Sequence, residues 1–257
     1  MEIARRDANA GRRLRMPTVT LFAKAHDNFR PDIFNKSLSS TLEGLDVEAE
    51  TCGATSRRWI QVSISGPDTT VALHYLDDRI GLCPESLQTV HKFSNLKGRI
   101  MDLSKERHDL RVDIGVFSPS SCDATVSLDR LRAQLVDGRS ASFEKIASLF
   151  GFCEDMPFTV KIGDVRSEQG LVEAEVAEAQ RKQYSRWAES LLDRLVILGA
   201  SRRGIELAVE RAGSKRDVLN IESLGLFEHV VVCKLGTDAV GLIPKIGKNL
   251  RKARFQS

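Results

Sequence analysis

Aromatic residues make up only 6% of the chain, and the two tryptophans and two tyrosines are thinly spread. Five cysteines, Cys52, Cys83, Cys122, Cys153 and Cys233, show no Cys-x-x-Cys spacing, which argues against a zinc ribbon and against a disulfide framework. They read as reduced residues of a cytoplasmic protein. No apolar run approaches the ~18 residues of a membrane helix, so no membrane is expected among the partners. A Walker loop and the repeated glycines of a dinucleotide turn are both missing. The five histidines are an ordinary number, and they show neither a nucleophile–base pair nor a metal cluster. The expectation is therefore no cofactor and no metal. A net charge of +3 is too small to demand a nucleic-acid partner. What is present is ordinary for a folded protein: 42% hydrophobic and 28% charged residues over 257 positions, room for one large domain or two to three small ones.

The most patterned stretch is Asn95–Val116. Leu96, Gly98 and Ile100 alternate with Lys97, Arg99 and Met101. Beyond the polar turn Ser104–Asp109, Leu110, Val112, Ile114 and Val116 alternate with Arg111, Asp113 and Gly115. Period-two alternation on both sides of a turn predicts a half-buried hairpin. Gly98 and Gly115 inside it mark bends or close backbone approaches. Further strands are expected at Ala124–Leu128, Phe158–Val165 and Leu171–Val176, with a helical insert at Ser142–Phe152. Five short strands fit an oligonucleotide-binding (OB) barrel over residues 93–178. The strings KGRI and VDIGV resemble the ribosomal S-one domain, and that resemblance implies an RNA-binding barrel. S-one barrels place base-stacking aromatics on their second and third strands, where this chain offers only Phe117.

Two similar patterns flank the barrel. Residues 1–16 carry five arginines without apolar periodicity and read as a disordered basic arm, with Met16 an alternative start. Residues 17–92 read as βαββα: a strand from Thr18, a helix opened by Pro31 and closed by Gly44, strands at Val47–Thr51 and Arg58–Ser65, and a helix capped by Asp68. The string WIQVSISGPDTTVALHYLDDRI resembles the end of a KH RNA-binding domain, although the Gly-x-x-Gly loop of that family is missing. Residues 179–257 repeat the βαββα order after a helix bearing Tyr184 and Trp187 on one face. Gly66-Pro67-Asp68 and Gly236-Thr237-Asp238 occupy matching strand-to-helix turns, which suggests a diverged duplication. The expected fold is thus α+β, a central five-stranded OB/S-one-like barrel flanked by two small βαββα units.

Candidate site residues follow from charge. The last helix is expected over about Asp238–Ala253, with Leu242, Ile243, Ile246 and Leu250 on one face and Lys245, Lys248, Arg251 and Lys252 on the other; no acidic residue follows Asp238. With Lys97, Arg99 and Arg111 on the barrel and Lys234 before the last helix, these are the expected nucleic-acid-binding residues. The turn at Gly236 and Thr237 is a candidate anion site, because free N–H groups at a helix start attract phosphate. Its competing reading is an ordinary turn whose helix is capped by Asp238. The string VVVCKLGTDAVGLIPKIGKNL, together with VDIGV, resembles an uncharacterised archaeal family catalogued as a domain of unknown function, which implies three domains with an S-one-like middle and supplies no catalytic residues. The reading is a non-catalytic RNA-binding adaptor in translation, ribosome assembly or RNA processing, its partners RNA, single-stranded or ribosomal, and other proteins. The alternatives are an enzyme with a site around Glu228, His229, Lys234, Thr237 and Asp238, or a protein-binding scaffold.

Overall fold

The computed structural model describes residues 17–103, 108–250 and 252–257. The expected basic arm, most of the turn after Leu103, and Arg251 lie outside the described residues.

The first unit contains β1 (Thr18–Lys24), α1 (Pro31–Thr41), β2 (Glu48–Ala54), β3 (Trp59–Ser65) and α2 (Thr69–Arg79). Pro31 sits in the first turn of α1, where its missing N–H costs nothing, and Phe34 and Leu38 pack inward one turn apart. The strands form an antiparallel sheet in the order β1-β3-β2. Its helix face is a core of Leu21, Ile60, Val62, Ile64 and Leu76. Asp68, expected to cap α2, makes no cap bond; its carboxylate instead accepts from the Asp46 N–H at 2.9 Å.

The middle unit comprises β4 (Glu85–Ser86), β5 (Asn95–Met101), β6 (Leu110–Ser118), β7 (Cys122–Val126), α3 (Leu128–Leu135), α4 (Phe143–Leu149), β8 (Pro157–Arg166) and β9 (Leu171–Val176). β5 pairs β6, β6 pairs β7, β7 pairs β9 in parallel, β9 pairs β8, and β8 returns to β5. That circuit closes a five-stranded barrel with the OB order of pairing. Ile100, Val112, Ile114, Ala124, Phe158, Val160 and Val172 fill it. Gly98 is required by the closure, since a Cβ there would meet Val112 Cγ1 at 2.5 Å and the Asp113 carbonyl at 2.8 Å. Two helices, not one, separate the third and fourth strands, and Leu131 and Ile146 from them join the barrel core.

The last stretch runs α5 (Glu178–Ser190), β10 (Arg194–Leu198), α6 (Arg202–Arg211), β11 (Val218–Ser223), β12 (Glu228–Cys233), α7 (Ala239–Gly247) and β13 (Arg254–Gln256). Its sheet order is β11-β12-β10-β13. The first three strands of each outer unit thus pair first to third and second to third, all antiparallel. α7 is shorter than its basic run suggests. It ends at Gly247, the chain turns through Lys252 at φ +63°, and β13 returns beside β10.

Both outer sheets lie on the barrel. Val196, Leu198, Val230 and Val232 of the last sheet belong to the barrel's own core cluster, as does Tyr184 of α5. The opposite face of that sheet, Leu195, Ile197, Val231 and Cys233, packs on α6 and α7. On the first sheet Phe22 and Trp59 turn away from their own helices, and they pack with Cys83 and the barrel's Phe117. Each fully buried aliphatic side chain in such a seam contributes roughly 1.5–3 kcal/mol, so the three units form one body.

Candidate nucleic-acid interface

The strand face used by OB barrels for oligonucleotides is the second and third strands, here β6 and β7. Their outward residues include Asp113 and Asp123, and the first unit covers both. Trp59 donates its indole N–H to Asp113 Oδ2 at 3.1 Å, and Lys24 Nζ lies 3.3 Å from the same oxygen. Arg57 and Arg111 both pair with Asp123. Lys24 also sits 4.9 Å from the Trp59 ring centroid, a cation held against an aromatic face. The barrel face is therefore closed by a tryptophan, a lysine and an arginine of the same chain.

Arg99 is a correction to the expected phosphate contacts. It points out of the barrel, as the alternation requires, but into the junction of all three units, where it is 2% exposed. Its guanidinium donates to the Phe22 carbonyl at 3.0 Å and lies 2.9 Å from Glu228 Oε2. Glu228 is fully buried and its other oxygen lies 2.8 Å from His26 Nε2. Burial alone would raise the Glu228 pKa, but Arg99 first and then His26 hold it below the ordinary carboxylate value. Nearby, Asp155 gathers Lys24 at 3.1 Å, Arg58 at 2.5 Å and Arg254 at 2.5 Å. Burial opposes its ionisation, yet the three cations bring its pKa down to about 2. Arg111 is likewise engaged, by Asp123, and its side chain stays about one-third exposed.

The turn at Gly236 and Thr237 is a second correction. Asp238 accepts from the Val240 and Gly241 N–H groups at 2.9 and 3.1 Å, and Asp193 accepts from the Ala239 N–H at 3.3 Å. Two carboxylates thus occupy the helix start that an anion would need, and their charge would repel one. The alternative enzymatic cluster does not assemble either. His229 is buried in β12 with Nδ1 3.1 Å from Ser223 Oγ, and burial lowers its pKa. Lys234 is exposed past the end of the same strand, and Asp238 is committed to α7.

The remaining expected cations are open. Lys97, Lys234, Lys245, Lys248 and Lys252 are exposed, and none of their side chains has a hydrogen-bond or ion-pair partner among the described residues. Arg211 and Lys215 share that state. Residues 192–257 hold twelve lysines and arginines against seven acidic residues, so this unit carries more than the whole chain's excess of +3. Lys97 borders a recess of about 310 Å³ where the three units meet.

One feature had no local signal in the sequence. A cleft of about 490 Å³ opens between α1 of the first unit and the start of α6 in the last, with Phe29, Phe34 and Phe227 along its walls and Arg30 and Arg203 among its lining. Its residues come from four separated segments, and only the closed fold brings them together.

Family models for the N-terminal, central and C-terminal domains of DUF2110 match residues 19–86, 91–188 and 192–256. The chain belongs to the DUF2110 family, whose central domain here is an OB-like barrel. The central match runs through residue 188 and so includes most of α5, in keeping with Tyr184 in the barrel core. No curated protein matches the chain. Among solved structures it is similar to one in the crystal structure of the a/eIF2alpha–aDim2p–rRNA complex from Pyrococcus horikoshii OT3, at 13% identity and a TM-score of 0.26, covering 50% of this chain and 70% of that chain. No helix among the described residues is long and apolar enough to cross a membrane.

Proposed function

We propose that this protein is a non-catalytic RNA-binding adaptor that holds phosphates on its C-terminal domain. The observation that carries the reading is the set of exposed cations there, Lys234, Lys245, Lys248 and Lys252, without a carboxylate partner among the described residues. Helix-dipole complementarity accounts for one or two positive charges near the end of a helix. It does not account for a domain with twelve basic residues against seven acidic ones. Phosphate contacts supply the bulk of sequence-independent nucleic-acid affinity, and unpaired lysines are suited to make them. The barrel contributes as a rigid support that seats the C-terminal sheet, because its strand face is already filled by Trp59, Lys24 and Arg57. Single-stranded or ribosomal RNA is the partner class this surface suits, and translation, ribosome assembly or RNA processing the setting.

Photocrosslinking a short unstructured RNA carrying 4-thiouridine, followed by peptide mapping, tests the reading. Adducts are expected on peptides spanning residues 234–254. Adducts confined to β6 and β7, or none, would overturn it.

A further inference from the structure

We infer that the cleft between α1 and α6 receives one nucleotide of a bound RNA strand, its base against Phe29 and Phe227 and its phosphate beside Arg203. This rests on the RNA-binding reading above. At about 490 Å³ the cleft falls within the roughly 300–1,000 Å³ of small-molecule sites, which favour domain interfaces and apolar walls with a few placed polar groups. Its walls have that character. Phe29 and Phe227 stand 6.2 Å apart in an edge-on pair and both keep part of their surface open, and Ile33 beside them is 57% exposed. A planar base meets such walls by stacking, which does not depend on which base it is.

Charge settles the kind of occupant. Arg203 lines the cleft with a side chain 76% exposed, and its nearest carboxylate, Glu206, is 3.7 Å away and shared with Arg202. Asn249 also lines the cleft, and it follows Lys248 directly in the chain, three residues before Lys252. A strand with a base in the cleft therefore continues toward cations already assigned to phosphate. An uncharged apolar ligand would leave these cations unused.

The floor supplies a polar contact. His26 lines the cleft and is 8% exposed. Its Nε2 is held by the buried Glu228 carboxylate, while Nδ1 has no hydrogen-bond partner among the described residues. Nδ1 is therefore left to hydrogen-bond an occupant, such as the ribose hydroxyl that a nucleotide brings.

Fluorescence anisotropy with a labelled, unstructured RNA decamer tests the proposal, using the wild type, Arg203→Gln and Ile33→Asp. Both side chains are exposed, so thermal unfolding should be unchanged in each variant. Each variant should bind about fivefold more weakly or worse, the lower end of what a lost stacking contact costs. Arg203→Gln should also make the log–log salt slope shallower by about 0.7. Wild-type affinity in both variants would overturn the cleft while leaving RNA binding elsewhere on the domain intact. Weakening by Arg203→Gln alone would place phosphate on the rim and overturn the seated base. No RNA binding by the wild type would overturn the cleft and the adaptor reading together.

Discussion

Glu228 and Asp155 show how single side chains tie the molecule together. Glu228, from the last unit, holds Arg99 of the barrel and His26 of the first unit, and all three are buried. Removing one partner of a buried pair leaves an uncompensated charge, at a cost of roughly 3–5 kcal/mol. Glu228→Ala should lose that much in urea unfolding, and a loss under about 1 kcal/mol would contradict the burial described. Asp155 adds a pH dependence. Its folded pKa of about 2 lies below the ordinary carboxylate value, so the stability it contributes is present above roughly pH 4 and is lost as pH falls towards 2. The stability gap between wild type and Asp155→Asn should therefore close over that acid window; a gap that persists unchanged to pH 2 would rule out the ionised carboxylate as its source. Neither partnership was legible in the sequence. The alternation placed Arg99 on the outer face of its strand correctly, but a strand's period says nothing about which distant segment covers that face.

At the scale of elements, patterning carried further. The barrel strands and the glycine demanded at position 98 follow from period-two alternation and from the absence of a side chain at a close crossing. Ile114 belongs to the inward set of β6 and is fully buried. Ile114→Ala should cost roughly 2–5 kcal/mol, from lost transfer energy plus the cavity left behind. A loss well below 1 kcal/mol in chemical denaturation would mean that the strand presents its other face. The last helix was the element least legible. Its apolar spacing continues to Leu250, yet the backbone leaves the helix at Gly247 and reverses at Lys252, so that Arg254 reaches Asp155 and β13 pairs β10. Local periodicity could not anticipate a stop set by a partner about a hundred residues away. Capping was read unevenly for the same reason: Asp238 caps its helix, whereas Asp68 is drawn off to the Asp46 amide.

The molecule as a whole is a barrel sandwiched between two sheets of matching strand order, sealed by shared core residues and a buried ionic junction. Because Val196, Leu198, Val230 and Val232 are part of the barrel's own core, the C-terminal sheet and the barrel should unfold together. Calorimetry should show one transition for these two units, and a separate, independent melt of residues 192–257 would contradict the shared core. The same closure sets the functional account apart from an ordinary OB protein: the strand face is spent on the chain's own first unit, and of the open cations all but Lys97 lie on the last. Salt dependence of RNA affinity tests that claim most directly, comparing the wild type with a variant carrying Lys245→Gln, Lys248→Gln and Lys252→Gln. The account predicts a linear fall of log affinity with log salt for the wild type, and a slope shallower by about 2 in the variant if all three lysines contact single-strand phosphates at roughly 0.7 each, with unfolding unchanged. An identical slope in the two proteins, or no binding by the wild type at low salt, would contradict it.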